Sequence, residues 1–234
     1  MKLQLVAVFG LVSLSACGAA KPSEMPLAAA LPSSANNTAE PVTAPPQPAA
    51  PVAASKCSLR EPQACLPACD AGDAQACFLA GQGFHQLPEG QRDDEKAVSA
   101  YKRGCDLGKA EACGNLGLQY EKGWGTAQDI AKASALYEKA CAADVVVACR
   151  NVGKLNEGES GHPAHPEKSA AAYQRALGLA LAQCDQRRAE GCVAAGYMFQ
   201  DGKGTPVDQA RGDELVRKAC SMGYSWACKP RETK

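Results

Sequence analysis

Aromatic side chains are scarce: two Trp, six Tyr and four Phe in 234 residues. A core with so few large rings is thin, and something besides ring packing has to hold it together. An excess of charge of either sign is also lacking, since 25 basic residues balance 25 acidic ones. A nucleic-acid partner would need a clustered Lys/Arg face to release counterions from phosphate, so this partner class is excluded. Long apolar runs are missing as well. The longest such stretch, Leu3 to Leu14, is too short to span a bilayer, which excludes an integral membrane protein. There is no phosphate loop and no cofactor motif, so no cofactor is expected.

Cysteine is the exception, with 13 in the chain, and such a number argues against a reducing compartment. The first, Cys17, stands at the end of a targeting segment. Lys2 and the apolar stretch after it have the layout of a secretory signal peptide over residues 1–16. Leu14-Ser15-Ala16-Cys17 resembles a bacterial lipobox, which makes Cys17 the acylated first residue of the mature chain. Acyl chains contribute about 0.8 kcal/mol per buried CH₂ and would hold a domain on a membrane without a spanning helix. Gly18, where Asp would resemble the inner-membrane retention signal, points to the outer membrane, facing the periplasm or the cell surface. From Gly18 to Lys56, 20 of 39 residues are Ala or Pro and four are charged, so residues 17–56 read as a lipidated cysteine and a disordered spacer.

The other twelve cysteines are metrical. They fall in pairs eight apart: Cys57/Cys65, Cys69/Cys77, Cys105/Cys113, Cys141/Cys149, Cys184/Cys192 and Cys220/Cys228. From Cys69 the first members recur every 36 residues, except for a step of 43 from Cys141 to Cys184. A Gly stands four residues after the second cysteine (Gly81, Gly117, Gly153, Gly196). Each period reads as a helix hairpin: Gly123-Trp-Gly125 and Gly202-Lys-Gly204 end a first helix, and Asp93, Asp129 and Asp208 cap a second. Each cysteine pair brackets a helix-turn-helix corner, and closing such a loop stabilises by about 2.5 kcal/mol in the chain-entropy model. A swap of Cys57 to Cys69 stays open, because Pro62 and Pro67 bound a short segment there. The seven extra residues fall within Ala176 to Gln183, where two added helical turns keep Cys184 on the same face.

Leu116-Gly117-x-x-Tyr120, Gly123-x-Gly125, Asp129-x-x-Lys132-Ala133 and Tyr137-x-x-Ala140-Cys141 together resemble the Sel-like repeat, in its secreted cysteine-rich branch. The resemblance covers Cys57 to Cys228. It implies an all-α fold over residues 57–229, an α/α solenoid of disulfide-bridged helix hairpins with the right-handed, tetratricopeptide-like superhelix, followed by a tail at 230–234. It also implies a scaffold for binding other proteins or peptides. By offset from Gly117, the concave face is expected to carry Phe78, Gln82, His85, Leu118, Glu121, Arg150, Lys154, Tyr197 and Gln200. Arg150 and Lys154, one turn apart, could hold a carboxylate, and Phe78, Leu118 and Tyr197 could take apolar side chains. The third and fourth units depart from the pattern, with His165 for the capping Asp, Asn156 for the aromatic and Val216 for the second-helix Tyr, and less regular packing is expected there.

Some members of this branch have been described as penicillin-binding proteins or β-lactamases, which makes a β-lactam-binding or hydrolysing protein the alternative. Ser99-Ala-Tyr-Lys102 fits Ser-x-x-Lys, but Ser-Asp-Asn and Lys-Thr-Gly are missing, and no catalytic residue is assigned. His162 and His165 with Glu157 or Glu159 are a conceivable ligand set, yet flanking prolines favour a plain loop and no metal is expected.

Overall fold

The structure is a computed structural model that describes residues 57–158 and 161–229. The leader, Cys17, the spacer, Glu159 and the tail from residue 230 lie outside the described residues.

The described residues form helices α1 (Leu66–Asp70), α2 (Ala74–Gln86), α3 (Asp94–Asp106), α4 (Ala110–Lys122), α5 (Ile130–Ala142), α6 (Val146–Leu155), α7 (Pro166–Asp185), α8 (Ala189–Asp201) and α9 (Gln209–Ser221). Short 3-10 turns, Pro62–Cys65 and Ser225–Cys228, flank them. Pairs α2/α3, α4/α5, α6/α7 and α8/α9 are four consecutive hairpins, and each helix packs chiefly on its neighbours in sequence. This is an all-helical α/α solenoid.

Local chemistry sets the helix ends. The carboxylates of Asp93, Asp129 and Asp208 accept from the backbone N–H of Lys96, Lys132 and Arg211, each at 2.9 Å, and so start α3, α5 and α9. His165 makes no such side-chain bond, and Pro166 opens α7 instead, in a position where a missing N–H costs nothing. The turn after each second helix needs a left-handed residue three past the cysteine. Gly108 provides it after α3 (φ 89°), while Asp144 and Arg187 adopt it without glycine's freedom (φ 63° and 61°).

The core is small-grained. Most of its buried side chains are alanines and bridged cysteines, and the larger ones include Tyr101, Tyr137, Tyr173, Phe84 and Phe199. In the first three hairpins the second-helix Tyr lies flat on the first-helix Gly: a Cβ on Gly117 would stand 2.9 Å from Tyr137 Cε1, and one on Gly153 would stand 2.8 Å from Tyr173 Cδ1. The fourth hairpin puts Val216 on Gly196. Third-unit irregularity takes a definite form. Helix α6 has 10 residues where α2, α4 and α8 have 13, and it ends at Leu155, just before Asn156. Helix α7 has 20 residues where α3, α5 and α9 have 13, which accounts for the step of 43.

Six disulfides join the cysteines eight apart, with Cα–Cα distances from 4.4 Å (Cys57–Cys65) to 4.8 Å (Cys220–Cys228). Cys57 pairs with Cys65, so the swap to Cys69 does not occur. The bridges fall between units: Cys105 on α3 meets Cys113 on α4, Cys141 on α5 meets Cys149 on α6, and Cys184 on α7 meets Cys192 on α8. Each clamps the interface that the thin apolar core supports least.

Candidate functional site

The first helices of the first three hairpins meet directly, α2 with α4 and α4 with α6, so their common side is one continuous surface. The nine residues expected on it fall in three columns counted from the second cysteine of each pair, and Gly114, Val193 and Glu157 complete those columns. The column one residue on holds Phe78, Gly114, Arg150 and Val193; the column five on holds Gln82, Leu118, Lys154 and Tyr197; the column eight on holds His85, Glu121, Glu157 and Gln200.

The first two columns are partly open except at Val193, which is buried in the core. Phe78 is half-buried, with its ring 6.4 Å from that of Tyr101 and Lys109 Nζ 5.5 Å above it. Leu118 and Arg150 are half-buried, and Lys154 is exposed one turn beyond Arg150. Tyr197 stands edge-on to Trp226 at 5.9 Å, and Trp226, which spacing alone did not single out, is 58% exposed beside Tyr224. The surface therefore alternates ring, aliphatic and cationic groups along the stack.

The third column turns into its own hairpin. His85 Nδ1 lies 2.7 Å from Asp94 Oδ1, the Tyr137 hydroxyl donates to Glu121 Oε2 at 2.8 Å, the Tyr173 hydroxyl donates to Glu157 Oε2 at 3.2 Å, and Gln200 Nε2 donates to Asp213 Oδ1 at 2.8 Å. Glu121 corrects the expectation most plainly: it is 4% exposed and clasped from within, so it is a structural group and not part of the open face. Burial alone would push its carboxyl up. The Lys122 and Tyr137 hydrogen bonds, with the charges of Lys122 and Lys154, outweigh that and hold it below the usual carboxylate range. His85 is partly occupied in the same way, stacked on Trp124 at 5.1 Å, while Arg92 lies 4.9 Å over that indole and pairs with Asp94.

The residues weighed for chemistry are dispersed. Ser99 and Lys102 lie on an exposed stretch of α3, where Lys102 Nζ is 3.2 Å from Asp106. The rings of His162 and His165 are 6.2 Å apart and edge-on, and Glu157 is committed to Tyr173 and Lys203. Among the described residues, no group of three or more His, Cys, Asp or Glu is placed to share a metal ion. Among them, too, no helix is long and apolar enough to cross a membrane.

Repeated hairpins joined by bridges between units define a helical-repeat scaffold, whose surface is built from equivalent positions rather than from one cleft. Residues 74–109, 110–145 and 189–224 match the Sel1 repeat, so the chain carries three Sel1 repeats. The unit between them, with the shortened α6 and lengthened α7, lies outside the matched segments. Among solved structures, a protective antigen of uropathogenic Escherichia coli strains with an SLR fold is 26% identical at a TM-score of 0.49, over 71% of this chain and 34% of that one. This chain thus spans about a third of the antigen's length. A Sel1 repeat protein from Oxalobacter formigenes is 20% identical over 73% of this chain and 80% of that one, with a TM-score of 0.43. Helicobacter pylori cysteine rich protein B is 21% identical over 72% of this chain and 90% of that one, with a TM-score of 0.27. No curated protein matches the chain.

Proposed function

We propose that the chain is an envelope scaffold, tethered to a membrane through acylated Cys17, that binds a protein or peptide on the shared face of its first helices. The observation that carries this reading is the face itself, where half-buried Phe78 and Leu118 and the cationic pair Arg150 and Lys154 follow one another along the contiguous helices α2, α4 and α6, with half-buried Tyr197 at the equivalent place on α8. Such a surface fits an extended segment that brings apolar side chains and at least one carboxylate, with aromatic and Arg anchors supplying most of the affinity. Six disulfides support the location, because they persist in an oxidising compartment.

Site-specific photocrosslinking in the producing cell tests the face. A benzophenone side chain at Leu118 or Tyr197 should give a discrete adduct, and the same group at exposed Glu138 or Arg217 on the second helices should give none. Equal adducts from all four positions would show that the face is not special. The tether has its own test: a Cys17→Ala variant should leave the membrane fraction and lose its lipid mass.

A further inference from the structure

Helix α7 breaks the metre of the array, and the break opens a cavity. The second and fourth hairpins dock their inter-helix loops on the second helix of the hairpin before, in a register counted back from the bridged cysteine. Gly125, in the α4–α5 loop, rests on the backbone of Asp94, eleven residues before Cys105. Gly204, in the α8–α9 loop, rests on Tyr173, eleven residues before Cys184, where a Cβ would stand 2.6 Å from the backbone carbon. The docking point is conserved in register while α7 is seven residues longer, so its first two turns run about 10 Å past the loop that packs on it. The step leaves a solvent-open cavity of about 620 Å³, lined among others by Asn156, Ser169, Tyr173, Lys203, Thr205 and Pro206.

Two of these residues are polar where the other units are not. Asn156 takes the position of Phe84, Tyr120 and Phe199, and Ser169 that of Ala97 and Ala133. They are only 2% and 6% exposed. Burying polar groups at positions the array fills with apolar ones costs stability unless they find partners. Asn156 Nδ2 donates to the Val152 carbonyl at 2.8 Å, and its Oδ1 and the Ser169 hydroxyl stay open to the cavity they line, since among the described residues the buried side-chain atom without a partner is Gln119 Oε1. The charges at the site are already neutralised. Lys203 pairs with Glu157 and lies 5.0 Å over the Tyr173 ring, and the Tyr173 hydroxyl donates to Glu157. A charged ligand would have to break that set, and a sugar would find the one aromatic face covered. What remains on offer is neutral: the buried Asn156 acceptor and Ser169 hydroxyl, with the Gln174 amide and Thr205 hydroxyl nearer the surface, between walls that include Ala164, Pro166, Ala170 and Pro206.

We propose that this step is a second binding site, for an uncharged peptide segment with small side chains, whose backbone N–H donates to Asn156 Oδ1 and whose carbonyl accepts from the Ser169 hydroxyl. The site is separate from the first-helix face, and its test does not depend on that face. Acetyl-trialanine amide, titrated into the oxidised full chain, should shift the backbone amide resonances of Ser169, Lys203 and Thr205 saturably; N-acetylglucosamine should not. Ser169→Ala, which installs the residue of the other units, should weaken binding about three- to tenfold, the range of one neutral hydrogen bond. Asn156→Tyr, which restores the array's aromatic, should fill the step and abolish binding with no loss of thermal stability. If Asn156→Tyr fails to fold, Ser169→Ala alone decides. No saturable shift with the peptide, shifts with the sugar only, or peptide affinity unchanged in Ser169→Ala would each overturn the proposal.

Discussion

Replacing Tyr137 by Phe isolates one hydroxyl in the best-buried polar contact of the array. Tyr137 is fully buried, and its hydroxyl donates at 2.8 Å to Glu121, whose other oxygen is 2.6 Å from Lys122 Nζ and whose side chain is 5% exposed. Phe keeps the ring on Gly117, so no cavity forms, and what is lost is chiefly the hydrogen bond to charged Glu121, together with the hydroxyl's bond to Asn151. That loss is worth about 1.5–3 kcal/mol. The pH dependence has a fixed sign. Glu121 is held below its ordinary range in the folded state, so its contribution is present above the unfolded carboxyl pKa of about 4.3 and is lost as pH falls through the lower folded value. The gap between wild type and variant should therefore be full at pH 7 and shrink under acid. Tyr173→Phe is the internal comparison. Its partner Glu157 is one-third exposed and is also held by Lys203, so the same deletion should cost under about 1 kcal/mol. Urea unfolding followed by circular dichroism at pH 7 and in acid reads both. Equal losses for the two variants, or a Tyr137→Phe loss that does not change with pH, would refute the reasoning.

Three further outcomes follow from the backbone and the packing. Gly117→Ala should destabilise by about 1–3 kcal/mol, because a Cβ there meets the immobile Tyr137 ring, whereas Gly178→Ala on α7, where a Cβ meets nothing, should stabilise by about 0.5–1 kcal/mol; paired urea midpoints check both. Arg187→Gly should raise stability slightly, by no more than about 1 kcal/mol, read as a small rise in thermal midpoint, since it relieves a left-handed residue that carries a side chain. Reduction of the bridges should cost cooperative melting of neighbouring units, and a reduced chain with unchanged melting would detach the cysteines from the fold.

The parts of this molecule that repeat could be read from the chain, and the parts that depend on contacts between columns could not. Cysteine spacing, the Gly facing Tyr, and the capping Asp residues each recur with the period, so hairpins, unit boundaries and the place of the extra turns in α7 are all legible. The inward turn of Glu121 is not. Offsets of one, five and eight residues fall within about 60° on a helix, so periodicity puts all three columns on one side. What draws the third column inward is a partner on the next helix, Tyr137 for Glu121 or Asp94 for His85, sixteen and nine residues away. The step cavity is hidden for a similar reason. Asn156 stands out as a departure in the sequence, but Ser169 gains meaning only when the α8–α9 loop docks seven residues into α7.

The central claim is that bridged cysteines eight apart clamp successive hairpins into one register, because the face, the clasps and the step are all counted from them. Peptide mapping of the full chain without reduction tests it most directly. The account predicts six local bridges, Cys57–Cys65, Cys69–Cys77, Cys105–Cys113, Cys141–Cys149, Cys184–Cys192 and Cys220–Cys228, with no other pairing. A bridge that spans a whole unit, such as Cys105 with Cys141, or free thiols in place of a pair, would contradict it.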